Sequence, residues 1–244
     1  MLRIGVIGYG YWGPNIVRNF SITPGASVQA VCDKNTAVHA KIKQAFPHVA
    51  VTANADQILL STDIDAVCIV TPVSTHYPLA KRALENGKHV FVEKPFTLNA
   101  DQAQELIDLA ENRGLQIMVD HTFLYTGAVR KIKRLVDGGS LGDIFYYDSV
   151  RVNLGLFQHD INVLWDLAPH DFAIMLHLID ERPTAVLASG RAHVNQFEDV
   201  AFVTVYFASS LVAHFHVNWL SPVKVRNTFI GASKKSVVWN DVSP

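Results

Sequence analysis

The stretch Leu2-Arg3-Ile4-Gly5-Val6-Ile7-Gly8-Tyr9-Gly10-Tyr11-Trp12-Gly13 decides the fold. Leu2 to Ile7 is a short apolar run that ends in glycine, and over 12–20 the residues Trp12, Ile16, Val17 and Phe20 return at helical spacing. The stretch reads as strand, tight turn and helix. Its loop has the spacing Gly-x-Gly-x-x-Gly, and the position between strand and helix gives that spacing its meaning. Gly8 allows the tight turn, Gly10 lets the backbone approach a pyrophosphate, and Gly13 lets helix and strand pack closely. The amides from Gly8 through Tyr9, Gly10, Tyr11, Trp12 and Gly13 then face an anion at a helix N-terminus.

Moving outward, the pattern repeats. Strands are predicted over 27–32, 66–70, 89–92 and 116–119, and helices over 37–46, 77–85 and 99–113, the last with Ala103, Leu106, Ile107 and Ala110 on one face. Strands alternating with helices imply a parallel sheet with right-handed crossovers, an α/β doubly wound Rossmann unit. Near Asp120 the texture changes. A helix over 127–136 stops at Gly138-Gly139, and segments rich in β-branched and aromatic residues follow at 144–153, 185–192, 201–207, 212–218, 225–230 and 236–239. A single helical stretch, 161–179, interrupts them. Two domains are expected: a dinucleotide-binding unit over 1–120, and an α+β unit with an open mixed or antiparallel sheet over 121–244.

Composition narrows the function. Of 244 residues, 49% are hydrophobic and 18% charged, with a formal net charge of −1. That is a globular balance with no basic run, so nucleic acid has no electrostatic footing. No apolar run reaches membrane-spanning length, and the N-terminal run is too short for a signal peptide. Cys32 and Cys68 lie in apolar runs and read as reduced, buried thiols. A cytoplasmic protein without membrane attachment is expected.

Several residues carry chemistry. Asp33 ends the second strand twenty residues after Gly13, where a carboxylate accepts hydrogen bonds from ribose hydroxyls and repels a 2′-phosphate, favouring NAD over NADP. Its bland reading is a helix cap. Thr71-Pro72, with His76 behind it, follows the strand at 66–70, at the sheet edge where ligands bind in such folds; Ser74 or Thr75 could equally cap the next helix. Glu93-Lys94-Pro95 leaves the next strand on the same edge, a charged pair in a cleft beside a proline able to adopt a cis bond. In the second domain, Asp166 and His170 share a face if the backbone is helical, although Pro169 restricts Ala168. A carboxylate beside an imidazole suits proton transfer, and Asp171 is a rival partner.

The glycine loop, Thr71-Pro72 with His76, Glu93-Lys94-Pro95 and the Asp166/His170 pair together resemble the glucose-fructose oxidoreductase / inositol dehydrogenase (Gfo/Idh/MocA) family through essentially the whole chain. The resemblance implies NAD(P)-dependent oxidation or reduction of a sugar or cyclitol carbon. Lys94 would then lie near the reacting oxygen, His170 would be the acid/base, and Asp166 would orient both. A weaker likeness, carried by Arg151-Val152-Asn153-Leu154-Gly155-Leu156-Phe157-Gln158 and Trp165-Asp166-Leu167, points to the nucleotide-sugar branch. Arg151 and Asn153 could hold a diphosphate or acetamido group, or simply be polar strand positions. His121 and Tyr125 are further cleft candidates, with packing the alternative for Tyr125.

The resemblance also implies a homo-oligomer built through the outer face of the C-terminal sheet. His214 and His216, alternating on one strand, fit such packing better than a metal site, because no third ligand is in view. In one respect the chain departs from the family. Pro244 closely follows the strand-like Val237-Val238-Trp239, where relatives continue, so an incomplete second sheet is expected from a deletion or a truncated sequence. That leaves a rival to the enzyme: an NAD(P)-binding sensor or assembly subunit without catalysis. Reduction of a cyclitol, imine or diol is a third reading.

Overall fold

Alternating residues of the central strands point into two separate cores, and this is what makes the first unit doubly wound. The structure, a computed structural model, describes residues 1–155 and 157–242; Leu156 of the nucleotide-sugar likeness lies outside them. The chain divides into Met1–Asp120 and His121–Pro244. In the first unit the strands β1 (Leu2–Ile7), β2 (Ala26–Cys32), β3 (Ala50–Thr52), β4 (Ala66–Ile69), β5 (His89–Val92) and β6 (Ile117–Val119) run parallel in the order β3-β2-β1-β4-β5-β6.

Ile4, Val6, Ala66 and Cys68 face one side and pack with Ile16, Val17 and Ile42. Ile7, Val67 and Ile69 face the other, against Ala80, Leu84, Leu106 and Ala110. Both faces of β1 and β4 are therefore covered, which explains why their sequences are nearly continuous apolar runs. The helices are α1 (Gly13–Ile22), α2 (His39–Ala45), α3 (Asp56–Leu59), α4 (His76–Glu85) and α5 (Ala100–Asn112). β3 and α3 escaped the sequence reading because three and four residues are too few to show a period.

In the second unit α6 (Gly127–Asp137) precedes β7 (Ile144–Leu154), and α7 (Val163–Leu178) precedes β8 (Pro183–Arg191), β9 (Val200–Phe207), β10 (Val212–Asn218), β11 (Leu220–Ala232) and β12 (Val237–Asn240). These strands form one open sheet, β12-β11-β7-β10-β9-β8. It is mixed: β7 and β10 are parallel and the other neighbours antiparallel. One face buries Tyr147, Val203, Val205, Ala213 and Phe215 under Val129 and Ile132 of α6 and Ile174, Met175 and Leu178 of α7. The opposite face carries partly exposed Phe202 and Tyr206. No helix among the described residues is long and apolar enough to cross a membrane.

Candidate functional site

The glycine loop is built as its spacing requires. Gly8 sits at φ 103°, and a side chain there would run into the Val70 carbonyl oxygen. A Cβ on Gly13 would stand 2.6 Å from the Gly8 oxygen, so this glycine is what lets α1 approach β1. Gly10 differs, because no protein atom lies within 4 Å of where its Cβ would be. Its bareness leaves open space over the backbone. Pro14 opens α1, and no side chain caps its N-terminus, so the first amides remain available to an anion. Within the loop, Tyr9 turns its ring into the core while Tyr11 is 93% exposed and stacks on Trp12, ring centroids 6.4 Å apart.

Asp33 fastens this loop to the end of β2. Its Oδ2 accepts the Tyr9 amide at 2.7 Å and its Oδ1 the Asn35 amide at 2.7 Å. The helix-cap role falls to Asn35, whose side chain accepts the Ala37 amide. A cavity of about 450 Å³ opens here, lined by Gly8, Gly10, Asp33, Thr71, Pro72 and Arg82 among others. Arg82 comes from α4, carries no motif, and was missed from sequence. Open space over Gly10, an uncapped helix start and a fixed carboxylate are what a dinucleotide needs at its pyrophosphate and adenosine ribose.

The loop after β4 is tied inward. Thr71 and Thr75 share a hydroxyl hydrogen bond of 2.6 Å. His76 is 1% exposed, and its two ring nitrogens lie 2.8 Å from the carbonyl oxygens of Pro95 and Thr71. His76 is therefore a buried strut between two loops of the sheet edge. The Lys94–Pro95 bond is cis. Burial first, then the neighbouring Asp120 carboxyl, pushes the Glu93 pKa up to about 8, against the pull of Lys94.

In the second unit, Asn162 caps α7 by accepting the Trp165 amide at 3.0 Å. The helix runs on through Pro169, so Asp166 and His170 stand one turn apart on one face. Asp166 Oδ2 accepts the indole N–H of Trp219 at 3.2 Å, and Trp219 is buried beneath it. The His170 ring packs on Phe123 at 4.8 Å, and Phe123 in turn covers the Arg151 guanidinium at 4.7 Å.

Arg151 is where the sequence reading needs correction. It is 4% exposed and grips Asp171 with two hydrogen bonds, 2.9 and 2.7 Å long. Its fork is committed to Asp171 rather than turned toward a diphosphate, and Asp171 is thereby committed to Arg151. Asn153 and His121 are partly exposed, and Tyr125 is exposed with Arg130 over its ring at 5.9 Å. On the open sheet face His216 stacks on Phe202 at 4.5 Å, while His214 Nδ1 lies 3.3 Å from Asp148.

The comparisons agree with this architecture. The model of the oxidoreductase family with an NAD-binding Rossmann fold matches residues 2–121, and the GFO/IDH/MocA C-terminal domain matches 129–237. An uncharacterised oxidoreductase of Escherichia coli (strain K12) is 34% identical over 78% of this chain and 58% of its own length. A UDP-N-acetylglucosamine 3-dehydrogenase of Acidithiobacillus ferrooxidans is 31% identical over 87% of this chain and 66% of its own. The chain thus spans less than two thirds of either relative. The structure of GenD2 from gentamicin A biosynthesis, in complex with NAD, superposes with a TM-score of 0.91 at 23% identity, over 98% of this chain and 72% of that one. With both domain models matched in order and a glycine loop, fixed Asp33 and two-unit fold to accompany them, the chain belongs to the Gfo/Idh/MocA oxidoreductase family, its first unit an NAD-binding Rossmann domain.

Proposed function

We propose that the chain is an NAD-dependent dehydrogenase acting on a ring hydroxyl of a sugar, specifically a nucleotide-linked hexose. The observation that carries the catalytic reading is α7, which runs unbroken through Pro169 and so presents Asp166 and His170 one turn apart. Bound NAD would supply the hydride acceptor. His170 takes the hydroxyl proton, and its ring is steadied by Phe123. Asp166, itself oriented by Trp219, positions substrate and imidazole. Lys94 supplies an ammonium to the oxygen on which negative charge develops. Gly8 to Gly13, Asp33, Thr71, Pro72 and Glu93 hold the cofactor, while His121, Tyr125 and Asn153 contact the sugar.

The nucleotide-sugar branch is supported by the UDP-N-acetylglucosamine 3-dehydrogenase among the relatives. Arg151 enters this reading as the support beneath Phe123 and His170 rather than as a substrate ligand. We read the chain further as a cytoplasmic homo-oligomer, in keeping with two free buried cysteines and an aromatic outer sheet face. The test is incubation with NAD and a panel of sugars, cyclitols and nucleotide sugars, following absorbance of reduced nicotinamide. Turnover is expected, greatest with a nucleotide sugar, and lost in Lys94→Ala and His170→Ala variants that still bind NADH. NADH binding without turnover on any of the three classes rejects the dehydrogenase in favour of a sensor.

A further inference from the structure

Two carboxyl groups leave the Rossmann sheet side by side. β5 and β6 are neighbours with Val92 opposite Val119, so the next residue of each strand, Glu93 and Asp120, emerges at the same carboxyl edge. The backbone continues the ladder there: the Glu93 amide donates to Ile69 at 3.0 Å and the Asp120 amide to Val92 at 2.8 Å. Asp120 is 6% exposed, and its carboxyl lies close enough to that of Glu93 for a hydrogen bond between them. Two carboxylates are acceptors only, so such a bond requires one of them to hold a proton. The remaining lone pairs are not all used: Glu93 Oε1 is buried with no hydrogen-bond partner among the described residues.

Other titratable groups surround the pair. Lys94 follows Glu93 and favours its ionisation. Cys68 on β4 feels the Asp120 charge and is buried, and both effects keep it a thiol. His76 lies behind Pro95, held between two carbonyl oxygens. Burial and the neighbouring Asp120 carboxyl prevail over Lys94, so Glu93 holds its proton near neutral pH. In the order β3-β2-β1-β4-β5-β6, the strand sequence reverses between β1 and β4. A dinucleotide spans that point, with its adenosine half toward Asp33 after β2 and its nicotinamide half toward β4 and β5.

We infer that the Glu93/Asp120 pair is a specificity element for the redox state of the cofactor: it releases one proton when NAD⁺ binds and keeps it when NADH binds. The inference rests on the dinucleotide assignment. Oxidised nicotinamide carries a positive charge that reduced nicotinamide lacks, and a positive charge beside the pair favours its second ionisation. By linkage, NAD⁺ binding then tightens as pH rises toward the point at which the free pair ionises, whereas NADH binding does not.

Isothermal titration of the full chain at pH 7 with NAD⁺ and with NADH, each in phosphate and in Tris, counts the protons. Most of one proton is expected to leave with NAD⁺ and close to none with NADH. The NAD⁺ affinity should rise by up to about tenfold per pH unit from pH 6 and level off above about 8. Asp120→Asn, which gives Glu93 a permanent amide donor, should abolish the release and flatten the pH dependence; Glu93→Gln should do the same and serves if the first variant does not fold. Binding of both cofactor forms with buffer-independent heats overturns the inference alone, as does release that persists in the folded variants. Absence of binding by either form overturns the dinucleotide assignment and the inference with it.

Discussion

The Tyr9 amide donates to Asp33 Oδ2 at 2.7 Å, so the carboxylate that ends β2 also sets the conformation of the glycine loop. One side chain thereby couples two halves of the cofactor cradle. Because its Oδ1 takes the Asn35 amide, its orientation is fixed from both oxygens. Asp33→Ala should weaken NADH binding about 10- to 100-fold, the range expected for lost hydrogen bonds to a charged group of about 1.5–3 kcal/mol. NADPH binding should suffer less, since a repelling charge is removed along with the support. Fluorescence titration with both cofactors measures this, and an unchanged NADH-to-NADPH affinity ratio would count against the assignment.

Two glycines of the same loop should fail in different ways. Gly8→Ala places a methyl group against the Val70 carbonyl at a positive φ, so it should lower the melting temperature as well as cofactor affinity. Gly10→Ala meets no protein atom within 4 Å and should leave the melting temperature at the wild-type value while NADH affinity falls. Thermal melts with and without NADH separate the two. If Gly10→Ala binds NADH as wild type does, the space over Gly10 is not where the pyrophosphate lies.

This contrast shows what the sequence could reveal. Gly8, Gly13 and Asp33 were legible because a fixed backbone geometry demands those residues at that spacing. The alternation in β1 and β4 was legible because parallel strands covered on both faces must be apolar throughout. Arg151 was not, because a polar residue on a strand reads the same whether it faces ligand or a buried carboxylate twenty positions away. The strut role of His76 was hidden for a related reason: its ring nitrogens face the carbonyls of Thr71 and Pro95, and main-chain acceptors leave no trace in side-chain patterns. The Glu93/Asp120 pair depends on which strands are neighbours, a fact of topology that local spacing does not encode.

The buried ion pair behind His170 should be sensitive to one-sided change. Arg151→Met leaves the Asp171 carboxylate, 2% exposed, without its partner and should destabilise the chain by about 3–5 kcal/mol. Replacing both, Arg151→Met with Asp171→Leu, should restore much of that stability, because an apolar pair avoids the desolvation cost of two charges. Urea denaturation of the two variants decides. A double variant no more stable than the single one would show that the pair is needed for something other than charge balance.

Acid stability should depend on Asp199, which is fully buried and accepts the His193 and Val194 amides at 2.8 and 2.9 Å and faces His193 Nδ1 at 2.7 Å. Burial works to raise its pKa, but the imidazole and amide of His193 and the amide of Val194 outweigh it and hold the carboxyl below its usual value. A depressed folded-state pKa means that the fold binds the carboxylate form more strongly than the unfolded chain does. The contribution is present above the unfolded value of about 3.9 and is lost as pH falls from there through the folded value. Asp199→Asn should be less stable than wild type at pH 7, since it loses the charge-assisted bonds. As the wild-type carboxyl takes up its own proton, the gap between the two proteins should narrow from about pH 5 downward. Urea midpoints at pH 7, 5, 4 and 3 trace it, and a gap of constant size across that series would show that the charge on Asp199 contributes nothing to holding the loop between β8 and β9.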